Sequence, residues 1–292
     1  MPQGIALVDK ELGVSSHHIV GKARKALDTR KVGHAGTLDP AASGLLVLGV
    51  GSGTRLLTFL VGLGKTYRAT MRLGYSTNTD DAEGESLPPT GDVSTCSDSD
   101  IAGAVEKFRG EISQVPSTFS AIKVGGRRAY DLARAGQEVE LKSRAVTIST
   151  LEVGAISRHR HHIDVELLVE CSSGTYIRAL ARDIGADLGV GGHLVALRRD
   201  RVGPFDVAGT GKAEDLTVEN LMPLGQAARL VMPALEVSGS EVSDLRHGRA
   251  IALEGHPTGV PLAAIERDTG VLLAVIEALA GRSRILMGVA SN

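Results

Sequence analysis

Tryptophan is absent from this 292-residue chain, and only four tyrosines and four phenylalanines are present. A core must therefore be built from aliphatic side chains, and each tyrosine becomes a candidate for a specific task, with ordinary packing as the alternative. Cysteine is scarce as well. Cys96 and Cys171 lie far apart and without ligand spacing, which argues against a disulfide framework or a zinc site and for a reducing compartment. Long apolar runs are also missing: Asp9, Lys10 and Glu11 interrupt the N-terminal stretch before it resembles a signal peptide or a membrane span. A cytoplasmic protein with no membrane partner is expected. Finally, the chain lacks an excess of either charge. A net charge of -2 gives no general attraction to a polyanion, so a nucleic-acid partner has to be met by local basic patches.

Two such patches are present. Between residues 120 and 144, Lys123, Arg127, Arg128, Arg134, Lys142 and Arg144 outnumber Asp131, Glu138 and Glu140, and Arg198, Arg199 and Arg201 form a second cluster. A solvated face is the ordinary reading of either run. With 42% hydrophobic and 23% charged residues the composition is that of a globular chain, long enough for one sizeable domain and a small one.

Hydrophobic periodicity supplies the elements. Residues 4–8 read as a short buried strand, and Ile19, Val20, Ala23, Ala26 and Leu27 fall at helical spacing after Ser15 and Ser16. Residues 65–73 alternate around Tyr67, Ala69 and Met71 as a half-buried strand. Residues 83–99 are rich in turn formers and read as an exposed loop, with Ser97 and Asp100 spaced as a capping box for a helix through Phe108. Residues 163–169 alternate again, and Ile177, Leu180, Ala181, Ile184 and Leu188 define a helix. Strands and helices are thus mixed without a fixed repeat, which predicts an α+β body with a mixed, largely antiparallel central sheet. Beyond residue 230 the strand candidates 260–265 and 271–276, separated by turn signals, predict a small β-barrel domain over 231–292.

Three tempting motifs do not carry chemistry. GVGSGTR at 49–55 lacks the third glycine of a dinucleotide fingerprint, and GKT at 64–66 lacks the earlier glycine of a phosphate loop, because position 59 is Phe. His159, His161 and His162 place two imidazoles on one side of a strand, but no carboxylate or cysteine joins them at ligand spacing in the sequence, so a solvated hairpin tip is expected. Neither a metal nor a cofactor is expected.

The run GHAGTLDPAASG at 33–44 stands apart from these. Asp-Pro alone is an ordinary turn initiator. Here short residues lead up to Asp39, Pro40 disfavours helical geometry at it, and an apolar strand follows, so its carboxylate is presented from a rigid loop as a nucleophile would be. The whole string closely resembles the signature of the TruB family of tRNA pseudouridine synthases. Further segments are similar to that family in the same order: LVDKELGVSSHHIV (7–20), KTYRATMRLG (65–74), the stretch 115–144, CSSGTYIRALARDIG (171–185) and HLVALRRDRVGPF (193–205). Two departures occur in the first of these, Glu11 where a proline usually stands and Ser15 in place of a common threonine. VMPALEVSGSEVSDLRHGRAI at 231–251 resembles the start of a PUA-type RNA-binding domain.

The resemblance implies a pseudouridine synthase fold over 1–230, with an RNA-clamping insertion at about 116–144 hinged at Gly125 and Gly126, and a PUA-like barrel over 231–292. It implies that Asp39 is the catalytic carboxylate, that Arg178 pairs with it, and that Tyr67 stacks on a flipped base and assists proton transfer. Tyr176 and Leu197 then line the base pocket, His34 takes the place of displaced bases, and Lys10 supports the pocket or contacts phosphate. The chemistry implied is isomerisation of uridine 55 in the tRNA T-loop, with the T-arm as partner, without a cofactor, and by a monomer with no obligatory protein partner. Two other classes remain beside it: an RNA-binding or tRNA-folding factor that performs no chemistry, and a guide-RNA-dependent catalytic subunit.

Overall fold

The computed structural model describes residues 1–120, 123–124, 127–128, 130 and 141–289. The hinge glycines Gly125 and Gly126, with Arg134, Asp131, Glu138 and Glu140 of the expected clamp, lie outside the described residues, as do the side chains of Lys123, Arg127 and Arg128. The chain divides into two compact units. The first is built from Met1–Pro40, Gly44–Gly62 and Gly203–Asn292, and the second from Ala41–Ser43 and Leu63–Val202.

In the first unit β1 (Gly4–Lys10) and β2 (Val32–His34) both pair antiparallel with β3 (Ala42–Val50). Helix α1 (Ser16–Ala26) starts where Ser15 accepts the His18 amide, a capping role that serine and threonine share, so this departure from the family motif is chemically neutral. Its Ile19, Val20 and Ala23 pack with Leu27, Ala6, Val8, Leu46, Leu48 and Val50 in one aliphatic core. Helix α2 (Gly53–Leu60) buries Leu56, Leu57 and Leu60. Gly53 is required here, because a Cβ would come within 2.2 Å of the Gly4 carbonyl oxygen. The late residues return to the early ones: the Ile5 and Met222 backbones exchange hydrogen bonds of 2.9 and 2.8 Å, and the Asp9 amide donates to the Gly211 carbonyl.

The second unit holds a five-stranded antiparallel ladder. The elements β4 (Lys65–Leu73), β5 (Gly110–Gln114), β8 (Arg144–Arg158), β9 (Ile163–Cys171) and β10 (Gly192–Val202) lie in the order β10-β4-β9-β8-β5. The alternation read from sequence is the observed burial: Lys65, Tyr67, Ala69, Met71 and Leu73 turn one way and are covered. Helix α3 (Asp98–Glu106) opens on the predicted Ser97–Asp100 capping box and packs on β8, while α4 (Ile177–Asp187) lies on β10 and β4. The short pair β6 (Lys123–Val124) and β7 (Arg127–Arg128) is antiparallel.

After β11 (Phe205–Asp206) and α5 (Leu224–Val231), the chain forms β12 (Ala234–Val237), α6 (Ser240–Arg246), β13 (Leu262–Glu266), β14 (Leu272–Leu279) and β15 (Arg282–Gly288). The expected barrel is corrected to an open sheet among the described residues. The path β12-β13-β14-β15 begins with a parallel pair and does not close, since four strands are too few to wrap a filled cylinder. The sheet is covered by α6 instead, whose Val242 and Leu245 pack on Leu262, Ala264, Leu273 and Ile276. No helix among the described residues is long and apolar enough to cross a membrane.

Candidate active site

Asp39 occupies the loop between β2 and β3, and it is held from both sides. Before it, Leu38 is buried, its amide donates to the Ser16 hydroxyl at 2.8 Å, and that hydroxyl donates to the Leu38 carbonyl at 2.9 Å. After it, the Pro40 carbonyl accepts the Gly13 amide at 2.9 Å and the Lys10 ammonium at 3.4 Å. Gly36, at φ +92, supplies the left-handed bend that brings the chain from β2 into this loop. Asp39 itself is partly exposed between these two anchors. The rigid presentation inferred from glycines and proline thus has a hydrogen-bonded cause as well.

Lys10 is fully buried, and its ammonium donates to the carbonyls of Glu11 and Val14 at 2.9 and 2.8 Å in addition to Pro40. A buried ammonium that donates to three carbonyls ties these loop segments together. Glu11, the other departure from the motif, faces Lys22 of α1 at 2.7 Å, and that ammonium holds its carboxyl below the usual range. Gly13 takes φ +82 in the turn that follows. His34 ends β2 and is half-buried.

In the second unit Tyr67 sits on the covered face of β4, opposite Val169 of β9 and Arg199 of β10, and is 8% exposed. Leu197 is half-buried on β10 opposite Ala69. Tyr176 caps α4; its backbone is clamped by Gln114, whose amide donates to the Tyr176 carbonyl at 3.1 Å and accepts the Tyr176 amide at 2.8 Å. The Arg144 guanidinium lies 5.8 Å from the centre of the Tyr176 ring, within cation–π reach.

Arg178 is buried in the first turn of α4. Its Nη1 donates to Asp81 Oδ2 and the Thr79 carbonyl, both at 3.1 Å, and its Nη2 donates to the Phe119 carbonyl at 2.8 Å. Asp81 is in turn held by the Thr79 hydroxyl at 2.6 Å and the Glu83 amide at 3.1 Å. One turn along α4, Arg182 donates to Asp80 Oδ2 at 3.0 Å and to the Val115 carbonyl at 2.8 Å. Burial pushes the Asp80 carboxyl up, against the pull of Arg182. The sequence reading singled out neither Asp80 nor Asp81: two adjacent acids near turn formers look like a solvated loop, and here both are buried.

The second basic cluster is not a uniform surface. Arg199 is 1% exposed, whereas Arg198 and Arg68 share Asp200, with Arg68 Nε at 2.7 Å. Lys65 lies on the same covered face as Tyr67; burial, reinforced by Arg199, pulls its pKa down to about 8. Burial raises the Cys171 thiol, opposite Lys65 on β9, to about 11. The histidines form the expected hairpin tip, with His159 and His161 exposed, but a carboxylate does join them: Asp164 stands beside His159 and His162 at the β8–β9 turn. The Arg72 guanidinium holds its carboxyl below the usual range.

The first unit thus holds a hydrogen-bonded aspartate loop, and the second a covered tyrosine strand and a buried arginine. The chain superimposes on a chain of the solved "Cbf5-Nop10-Gar1 Complex" with a TM-score of 0.72 and 27% identity, covering 99% of this chain and 84% of that one. In the "archaeal box H/ACA sRNP Nop10-Cbf5 complex" the values are 0.71 and 25%, with 98% and 85% covered. A profile described as "TruB family pseudouridylate synthase (N terminal domain)" matches residues 24–177, and one described as "tRNA pseudouridylate synthase B C-terminal domain" matches residues 178–231. The chain belongs to the TruB family of pseudouridylate synthases. Among curated relatives, "tRNA pseudouridine synthase B" of Cutibacterium acnes is 50% identical over 278 residues, 94% of this chain and 93% of that protein. The protein of the same name from Leifsonia xyli subsp. xyli is 48% identical over 292 residues, 97% and 95% of the two chains.

Proposed function

We propose that this protein isomerises uridine 55 in the T-loop of tRNA to pseudouridine. The uridine is everted from its stack, the bond from N1 to C1′ breaks, the base turns, and C5 bonds to C1′; the proton on C5 is lost to solvent and N1 gains one. Atoms and electrons balance within the substrate and water, so the reaction needs neither a redox partner nor a metal. Asp39 is the carboxylate that acts on the sugar or base, Arg178 the guanidinium that keeps a carboxylate ionised, and Tyr67 the ring that stacks on the everted base. Tyr176 and Leu197 wall the base pocket, and His34 takes the place of displaced bases. Lys10 steadies the loop that carries Asp39.

The observation that carries this reading is the clamp on either side of Asp39, Ser16 on Leu38 and Lys10 with Gly13 on Pro40, which fixes a carboxylate in a loop without enclosing it. Residues 116–144 are read as the clamp on T-arm phosphates, and 231–292, after a boundary at 230, as an RNA-binding module in a cytoplasmic monomer. Identity of about half to proteins named tRNA pseudouridine synthase B, against about a quarter to the Cbf5 chains, supports a self-sufficient enzyme over a guide-dependent subunit. Two measurements test the proposal. Asp39→Asn and Asp39→Ala should bind tRNA yet release no tritium from tRNA carrying 5-labelled uridine; release at the parent rate removes Asp39 from the mechanism. The purified protein should modify an unmodified T-arm hairpin alone, and activity that appears only with an added guide RNA overturns the self-sufficient reading.

A further inference from the structure

The histidine-rich turn between β8 and β9 has no part in that chemistry. Arg158 and Ile163 are the last partners of the ladder, so His159 and His162 face each other across a turn made by Arg160 and His161. The His159 amide donates to the His162 carbonyl at 2.9 Å and closes that turn. Residues opposed in this way point their side chains to one face, and Asp164, two positions further along β9, shares it. The two imidazoles are stacked, with centroids 4.4 Å apart and planes inclined by 21°. Their Nε2 atoms stand 4.0 and 3.9 Å from Asp164 Oδ2, and one donor atom from each of the three residues lies within 4.8 Å of the other two.

Asp164 is itself held in place. Arg72 donates from Nε to Oδ1 at 2.7 Å and from Nη2 to Oδ2 at 2.8 Å. A carboxylate offers about four acceptor sites, so this fork leaves lone pairs for another partner. In metal sites an outer partner that orients a ligating carboxylate plays this role. The backbone below the turn is also constrained: a Cβ on Gly74, at the end of β4, would come within 2.7 Å of the His161 carbonyl oxygen.

We propose that His159, His162 and Asp164 form a binding site for a borderline divalent transition ion such as zinc or cobalt. Two imidazoles and one carboxylate suit such ions, whereas magnesium and calcium prefer all-oxygen sets. A tetrahedral ion with bonds of about 2.0–2.1 Å sets its donors roughly 3.3 Å apart, so the three groups have to close by on the order of 1 Å. Rotation of the rings supplies that, with the His159 side chain 49% exposed and that of His162 24%. The fourth position faces solvent and takes water. Arg72 adds a positive charge nearby, which weakens cation binding. The bound ion joins β8 to β9 at their turn and stabilises the folded state by mass action.

The test is a titration of tag-free protein with Zn²⁺ by calorimetry and with Co²⁺ by visible absorption. One ion per chain is expected at this turn, with cobalt bands of a low-coordinate site. His159→Ala and His162→Ala, both at the turn and checked for folding by circular dichroism, should each weaken binding by about tenfold or more. His161→Ala should bind as the parent does. Parent-like binding in both His159→Ala and His162→Ala, or no binding by the parent up to millimolar metal, overturns the proposal.

Discussion

Around Asp39 the first unit fixes a loop with peptide carbonyls, one buried serine and one buried lysine, whereas around Arg178 the second unit fixes a loop with two arginines and two carboxylates. The first kind of support is made of separate hydrogen bonds, and losing one leaves the others in place. The second kind is a buried charge network, in which losing one member leaves its partner charged and dry. The loop that carries Asp39 is thus steadied through its neighbours' backbone. The arginine corner, which also ties residues 114–119 to α4, has to hold against the displacement of whole segments.

The sharpest way to break this contrast is Asp81→Asn. It removes the carboxylate charge opposite the buried Arg178 guanidinium, and a loss of about 3 kcal/mol or more is expected, seen as a fall of about 10 °C in a thermal melt. Asp80→Asn should cost clearly less, because burial already pushes that carboxyl toward its neutral form. Equal losses in the two variants would show that the pairs are not distinguished by charge.

Next in size is a pH effect at Lys65. Its folded pKa of about 8 lies below the ordinary lysine value of 10.5, so the unfolded chain binds more protons across that window. Stability therefore rises as pH climbs from 8 to 10.5, by on the order of 3 kcal/mol at full extent. Cys171, raised from 9.0 to about 11, works in the opposite sense above pH 9, so the rise is clearest between pH 8 and 9. Lys65→Met should abolish it in urea titrations, while Cys171→Ala should keep it.

A smaller effect is expected where support is spread out. Ser16→Ala removes two buried bonds to Leu38 and should cost about 2 kcal/mol. Turnover should fall while tRNA affinity is kept, because the loop that carries Asp39 loosens. A KM change without a kcat change would put the serine's role in binding instead. Smallest of all is Glu11→Pro, which restores the usual family residue: its exposed pair with Lys22 contributes little, and the melting temperature should stay within the scatter of the measurement.

What was legible in the chain follows one rule: features set by neighbours in sequence could be read, and features set by register across the fold could not. The covered face of β4, the Ser97–Asp100 cap and the α4 stripe depend on spacings of two to four residues, and all are observed. The Arg178–Asp81 pair joins residues 97 positions apart, and nothing local marks either acid as buried. Asp164 escaped notice for a related reason. It stands two residues after His162, but His159 joins that face only across the turn, which spacing along one strand does not show. The C-terminal strands were placed correctly, but alternation does not reveal how many strands there are or that β12 runs parallel to β13, which is what separates an open sheet from a barrel.

The reciprocal bonds between Ile5 and Met222 bear on how the molecule is made. During synthesis the stretch Leu63–Val202 leaves the ribosome as a continuous piece, and its antiparallel ladder has every partner it needs once β10 has emerged. The strand β1 finds its ladder partner β3 within the first fifty residues, whereas its bridge to Met222 closes a loop of more than two hundred residues, which is slow. The supports of the Asp39 loop, Lys10, Gly13 and Ser16, are all translated before residue 40, so the nascent chain holds that loop early and seals the first unit late. Chains cut short before Met222 carry both loops without that seal.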